Sequence, residues 1–440
     1  MLFTSFEFIF VFLPVLIVVY SIFKNIKIKN VILVLFSLLF YAWGEPKNIF
    51  LLILLILLCY VFSFLINKRK NKYLLFTFIA ILITPLIFYK YFYDSMPLGI
   101  SFYTFQLLSY LIDVYTEKCE CEKNIINLSV YLSMFPSISS GPILRYPDIK
   151  NNIYNRKISI EKIEKGLSRF IIGLSKKIII ADNLSNIVNN AFSINVHIIQ
   201  ANMAWLGAIA YMLQIYFDFS GYSDMAIGLG RMLGFSFKEN FDEPYISRSI
   251  TDFWRRWHIS LSMWFRDYVY IPLGGNRTST IRWIFNLLIV WILTGIWHGT
   301  SMNFIVWGLY YGVILIIEKL LLKNFLDKHK FISHIYSLLI IFVGWIIFRI
   351  GNVMDIPYYL FALIDIRNLG TINYLVSQNI TFDTIYILLG VILIMPSVKT
   401  LLNKLINIKY LRDFILIILL IISVVFIENG SFSTFLYFKF

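Results

Sequence analysis

Apolar residues in this chain come in long blocks with short polar punctuation, not in the two-residue alternation of strands or the narrow stripe of surface helices. Residues 6–23, 48–66 and 73–93 are nearly continuous hydrocarbon, and runs of roughly 17–25 apolar residues span a bilayer as helices. A shorter run at 30–41 ends in the turn Trp43-Gly44-Glu45-Pro46, and later blocks lie at 203–219, 281–297, 301–322, 331–349, 384–396 and 414–427. The pattern predicts an all-α polytopic membrane protein of about ten or eleven spans, with a few re-entrant or surface helices. Lys24, Lys27 and Lys29 follow the first block, and a basic cluster at 67–72 follows the third. Basic residues gather on the cytoplasmic side, so the N-terminus is expected outside. Alternation through the basic stretches 319–330 and 399–412 puts the C-terminus outside as well. The first block lacks a basic leader and a small-residue cleavage site before Lys24, so it reads as a span rather than a signal peptide.

Some stretches break this pattern. Residues 96–115 are aromatic and hydroxyl-rich, open with Pro97 and Gly99, and carry Gln106 and Asp113; they predict a helix lining something polar rather than facing lipid. Phe135-Pro136-Ser137-Ile138-Ser139-Ser140-Gly141-Pro142 predicts irregular backbone buried in protein or lining a cavity. The block 166–181 holds Lys176 and Lys177 and is ambiguous between a span and a surface helix. Asp218 and Asp224 follow an apolar block; carboxylates there are costly in lipid and should face a bundle interior or water. Residues 231–252 are charged and are expected to form a loop at the membrane surface.

Composition supports the membrane reading. Of 440 residues, 59% are hydrophobic and 15% charged, against roughly 45–50% apolar in soluble domains. A net charge of +14 would suggest nucleic acid in a soluble chain. Here it reflects retained cytoplasmic Lys and Arg, and no nucleic-acid partner is expected beside the lipids. Cys59 is expected to pack inside, and Cys119 and Cys121 to lie in a solvated connector.

Candidate chemistry concentrates in residues 251–300, which hold His258 and His298 of five histidines and six of ten tryptophans. Residues 251–270 predict one amphipathic helix, capped by Thr251, with Trp254, Trp257 and Trp264 on its aromatic face and Arg255 and Arg256 on another. Such arginines suit lipid phosphates or the phosphates of an acyl donor, and an interfacial helix without catalytic duty is an equally good reading. His298 closes Trp297-His298-Gly299 at the end of an apolar run. A neutral imidazole there can take a proton from an attacking hydroxyl, and Gly299 would let a substrate or another backbone come close. A packing histidine is the competing reading. His197, His329 and His334 read as solvated. No phosphate-binding glycine loop, GxSxG, HExxH or paired-cysteine motif is present.

These residues carry a resemblance. PLGISFYTFQ (97–106), FPSISSGPILRY (135–146), FDFSGYSDMAIGLGRMLGF (217–235), ENFDEPYISRSITDFWRRWHISLSMWFRDYVYIPLGGNR (239–277) and LTGIWHGTSMNFIVWGLYYG (293–312) resemble the membrane-bound O-acyltransferase family, in its bacterial alginate O-acetyltransferase type. LFYAWGEP (39–46) and the closing FLYFKF (435–440) look similar too. The resemblance implies a ring of helices around a central tunnel and one integral-membrane domain over 1–440. In that domain N-terminal spans (1–95) precede a motif-bearing core (96–312) and C-terminal spans (313–440). It implies that the family's near-invariant histidine falls on His298 and a second functional histidine on His258. Trp254, Arg255, Arg256, Trp257, Trp297, Asp218 and Asp224 are weaker candidates for lining the site. It further implies that acetyl-CoA serves as a substrate from the cytoplasm of a bacterial cell, with no bound cofactor or metal. The acetyl group would cross toward hydroxyls of a polysaccharide or peptidoglycan, through a secreted or membrane-anchored acetyltransferase partner. Transfer of D-alanyl to a wall polymer, transport of a polysaccharide precursor, and a scaffold that only recruits an exported enzyme are the alternatives.

Overall fold

Every regular element among the described residues is helical, as the hydrocarbon blocks require. The computed structural model describes the chain except residues 94, 140, 370–382, 407, 431–434 and 436–440. Of the FLYFKF stretch, therefore, only Phe435 is described. Among the described residues, seven helices are long and apolar enough to cross a membrane: Ile26–Gly44, Ile49–Lys68, Lys72–Phe92, Thr280–His298, Met302–Lys328, Lys330–Arg349 and Lys409–Glu428. Thr384–Ile394 and Pro396–Leu402, bent by 81° at a break, make an eighth if they form one span. The remaining apolar blocks take other forms. The first is the shorter helix Phe8–Ile22, and the block at 203–219 opens the 32-residue helix Ala201–Met232, which also carries Asp218 and Asp224.

The chain divides into two compact units, one of Met1–Gly173 with Tyr222–Glu239, the other of Leu174–Gly221 with Asn240–Phe440. The first is cored by aromatic rings: Phe3, Phe40 and Phe135 pack edge to face or tilted with Phe8 and Phe12, which stack on each other, and Tyr222 stacks on Phe3 at 4.9 Å. Residues 96–115 form the helix Ile100–Tyr115, buried along most of its length, with Gln106 and Asp113 inside. Gly99 opens it at φ +71°, where a Cβ would sit 1.9 Å from the Ile138 carbonyl oxygen, so only glycine fits. The FPSI segment is one buried helical turn, Phe135–Ile138. The cysteine connector is less solvated than its composition suggests. Glu122 is buried and accepts hydrogen bonds from the Tyr146 and Tyr154 hydroxyls and from the Asn124 N–H, because a buried carboxylate must be satisfied.

The ambiguous block 166–181 resolves as helix throughout. Ile160–Ser175 continues through the π-helical turn Lys176–Ala181 into Asp182–Ser193. The π turn carries Lys177 inward, where its ammonium lies 2.6 Å from Asp182 and 2.7 Å from Asp218. Asp218 thus faces the interior, as the cost of a carboxylate in lipid demands, and serves an ion cluster there. The expected surface loop behaves differently over its second half. Asn240, Pro244, Tyr245 and Ser247 are buried, Phe241 packs edge-on against Trp257, and the Tyr245 hydroxyl donates to the Met212 carbonyl. The charges at 242, 243 and 248 disguised aromatic anchors between them.

Candidate active site

The site begins with a helical hairpin, Thr280–His298 and Met302–Ile317. Added Cβ atoms at Gly295 and Gly308 would each lie 2.3 Å from a carbonyl oxygen of the facing helix, Phe304 and Trp291 respectively. The two backbones therefore touch, which small residues alone permit. The space beside Gly299 is taken by the Phe304 ring, 2.1 Å from where a Cβ would be. Asn303 ties the hairpin to the next helix by donating to the Ile347 and Phe348 carbonyls. His298, buried at the hairpin's tight end, stands among rings: Trp307 at 5.0 Å and Phe348 at 5.1 Å, both nearly perpendicular, and Trp297 at 4.9 Å.

The second histidine is positioned by a break. Residues 251–270 are not one helix. Ile250–Arg256 ends at Trp257, His258 takes a left-handed conformation at φ +43°, Ile259–Phe265 starts anew, and Arg266–Tyr270 is a π turn. Left-handed residues routinely stop helices, and histidine tolerates that region better than most side chains. The His258 carbonyl accepts from the Leu261 and Ser262 N–H groups, so the same residue ends one helix and opens the next. The N-cap is Ser249, whose hydroxyl accepts from the Asp252 N–H, rather than Thr251. The buried Glu318 carboxylate completes that end, accepting from the Ile250 N–H, the Thr251 N–H and the Thr251 hydroxyl at 2.6–3.0 Å. A negative charge at a helix N-terminus is favourable, and here it docks the segment onto Met302–Lys328.

His258 and His298 line one cavity of about 160 Å³. Trp254, Trp257, Trp307 and Arg266 line it with them. The indole N–H groups of Trp254 and Trp307 are buried with no acceptor among the described residues. Such donors are costly alone, by about 1–3 kcal/mol, and they suit a ligand oxygen. Burial lowers the His258 imidazole to about 3, so it is neutral at working pH.

Of the residues singled out from sequence, the structure thus brings together His258, His298, Trp254 and Trp257. Trp297 lies against both histidines, 6.2 Å from His258, outside the cavity lining. Arg255 is exposed. Arg256 pairs with Asp252 at 3.0 Å and reaches Asp242. Asp218 belongs to the Lys177 cluster, and Asp224, in the other unit, pairs with Arg169 at 2.8 Å. Sequence reasoning missed Asn240 and Glu318. A lone glutamate at the end of an apolar run was a legible signal for Glu318. Asn240 carried none.

The family model described as MBOAT, membrane-bound O-acyltransferase family, matches residues 122–361. A "Probable alginate O-acetylase" of Pseudomonas fluorescens is 39% identical over 366 residues, covering 80% of this chain and 73% of that protein. A peptidoglycan O-acetyltransferase of Helicobacter pylori is 33% identical over 415 residues, 80% of this chain and 77% of its own. A teichoic acid D-alanyltransferase of Bacillus subtilis is 33% identical over 233 residues, 50% of this chain and 58% of its own. The family match spans more than half the chain and the first two likenesses four-fifths of it; this chain belongs to the membrane-bound O-acyltransferase family, as a multi-pass membrane enzyme that transfers acyl groups to oxygen.

Proposed function

We propose that this enzyme takes an acetyl group from cytoplasmic acetyl-CoA and delivers it to hydroxyls of a cell-wall or secreted polysaccharide outside a bacterial inner membrane, through a separate acetyltransferase partner. The observation that carries this reading is the shared cavity: two buried histidines and indole donors without acceptors among the described residues, Trp254 and Trp307 included, line a space of about 160 Å³. That is well below the ~300–1,000 Å³ of pockets that enclose whole drug-sized ligands, and it suits a short acyl group. The Pseudomonas fluorescens and Helicobacter pylori relatives, each aligned over four-fifths of the chain, are named for acetyl transfer.

His298 acts as general base. The acceptor hydroxyl attacks the thioester carbonyl as its proton passes to the imidazole; the carbon–sulfur bond breaks, and the proton returns to the leaving thiolate. Acceptor and thioester thereby become ester and thiol. An indole N–H donating to the carbonyl oxygen favours the charge that develops there. His258 orients the donor or assists proton transfer, and Arg255 meets the donor's phosphates from the exposed side. Both termini lie outside, by the distribution of basic residues.

The test uses purified protein in liposomes with radiolabelled acetyl-CoA, alone and with a neighbouring secreted acetyltransferase. Thioester consumption and label transfer by the wild type, lost in folded His298→Ala, are expected. Unchanged turnover in that variant sinks the His298 assignment. A donor preference for a D-alanyl thioester would replace acetyl with the aminoacyl group. No turnover with any donor or partner would favour transport.

A further inference from the structure

Asn240 is fully buried, and its side-chain oxygen meets three groups: the Ser260 N–H at 3.1 Å, the Ser260 hydroxyl at 2.8 Å and His258 Nδ1 at 3.3 Å. Its backbone carbonyl also accepts from the Ile259 N–H at 3.0 Å. The Ser260 amide can only donate, so the atom facing it is the amide oxygen of Asn240 and not its nitrogen. That oxygen can only accept. His258 Nδ1, against the same oxygen, must then carry a hydrogen, and in a neutral imidazole the other nitrogen must carry the lone pair.

We infer that Asn240 is a positioning residue of the acyltransferase site, holding His258 as the Nδ1–H tautomer so that His258 meets a substrate only as a hydrogen-bond acceptor through Nε2. This rests on the acyltransferase reading of the cavity and sharpens the role of the second histidine. An imidazole in this state cannot be the acid that protonates the departing thiolate. It receives an O–H or N–H of the bound substrate, leaving proton return to His298. The neutrality of His258 follows from burial, which disfavours the imidazolium. Phe219 at 4.6 Å and Trp297 at 6.2 Å, both uncharged, lie against its ring. Among the described residues, the titratable or charged groups that share its cavity are His298, Arg266 and Tyr270.

Asn240 also satisfies the first N–H groups of Ile259–Phe265, so the test must separate orientation from helix capping. The direct measurement is nitrogen NMR on full-length protein in lipid with labelled histidine, the His258 signals assigned by their absence in His258→Asn. A neutral His258 protonated at Nδ1 is expected; protonation at Nε2 overturns the assignment, whether or not the protein turns over. The functional arm compares Asn240→Asp with Asn240→Ala. Aspartate keeps both capping bonds and puts a negative charge beside the ring, which raises the pKa of an adjacent imidazole by about 1–3. Acetyl transfer by Asn240→Asp should therefore approach wild type at high pH and fail at a higher pH than wild type on acidification. Asn240→Ala should lose about 10–100-fold in kcat with KM little changed. A wild-type pH profile in Asn240→Asp overturns the inference, because a carboxylate against Nδ1 of a His258 that works only as the neutral acceptor must move that profile. Absence of turnover in the wild type would defeat the acyltransferase reading, and the tautomer would still decide the role of Asn240.

Discussion

The two cavity histidines are held by opposite means. His298 closes a regular helix, and its place follows from the backbone contact of Gly295 and Gly308 and from the rings of Trp307 and Phe348 around it. His258 sits where helix stops, in a left-handed conformation, with its ring on the Asn240 amide. Rings pack around the first. Hydrogen bonding to the Asn240 amide dictates which nitrogen of the second carries its proton. A base that must take up and release a proton suits the first setting, and a group that must keep one protonation state suits the second.

The sharpest way to break this comparison is to remove each imidazole separately. His298→Ala should lower turnover about 10²–10⁴-fold, the usual contribution of a general base, with the protein still folded in detergent; a loss under tenfold would falsify its role as base. His258→Asn should cost less, about 10–100-fold, and leave thermal stability nearly unchanged, because asparagine also accepts the left-handed backbone. His258→Val should melt lower as well, by the ~1–3 kcal/mol of a strained residue, so the two variants separate imidazole from backbone.

Glu318→Ala attacks only the hydrogen-bonded side. It strands the Ile250 and Thr251 donors, at about 1–3 kcal/mol for each buried group left unmet. A lower melting temperature with reduced activity per folded molecule is expected, and Glu318→Gln should recover part of both. Smaller still is Arg255→Ala, expected to raise KM for the acyl donor a few-fold with kcat unchanged; a fall in kcat instead would place Arg255 in the reacting site.

The last prediction concerns pH. Burial holds His258 at about 3 when folded, against 6.5 unfolded. The unfolded chain therefore binds the proton first. The stability His258 contributes is complete above about 6.5 and is lost as pH falls toward 3. Between pH 5 and 8 it adds no limb to kcat/KM, so any limb measured there should persist in His258→Asn.

Much of this was legible beforehand because the informative signals were local. Hydrocarbon blocks become helices wherever they are long, since a membrane leaves the backbone no other partner. The polar helix with Gln106 and Asp113 and the inward-facing Asp218 followed from the cost of polar groups in lipid. The expectation of one helix over 251–270 failed because its 3–4 spacing of aromatics survives a single left-handed residue almost intact. Only the bonds from Asn240 and Glu318, distant in sequence, reveal the stop. The surface-loop reading of 231–252 missed the burial of its second half because charge was counted and the anchoring Phe241, Pro244 and Tyr245 were not.

The amino-acid sequence by itself determined the helical membrane class and two histidines worth suspecting, since each depends on composition or short-range order. The tertiary structure alone decided that His258 and His298 share a cavity, that Asp218 belongs to an ion cluster instead, and which nitrogen of His258 bears hydrogen. Those are matters of which distant groups meet, and a buried polar atom's state is set by its partners rather than by its own chemistry.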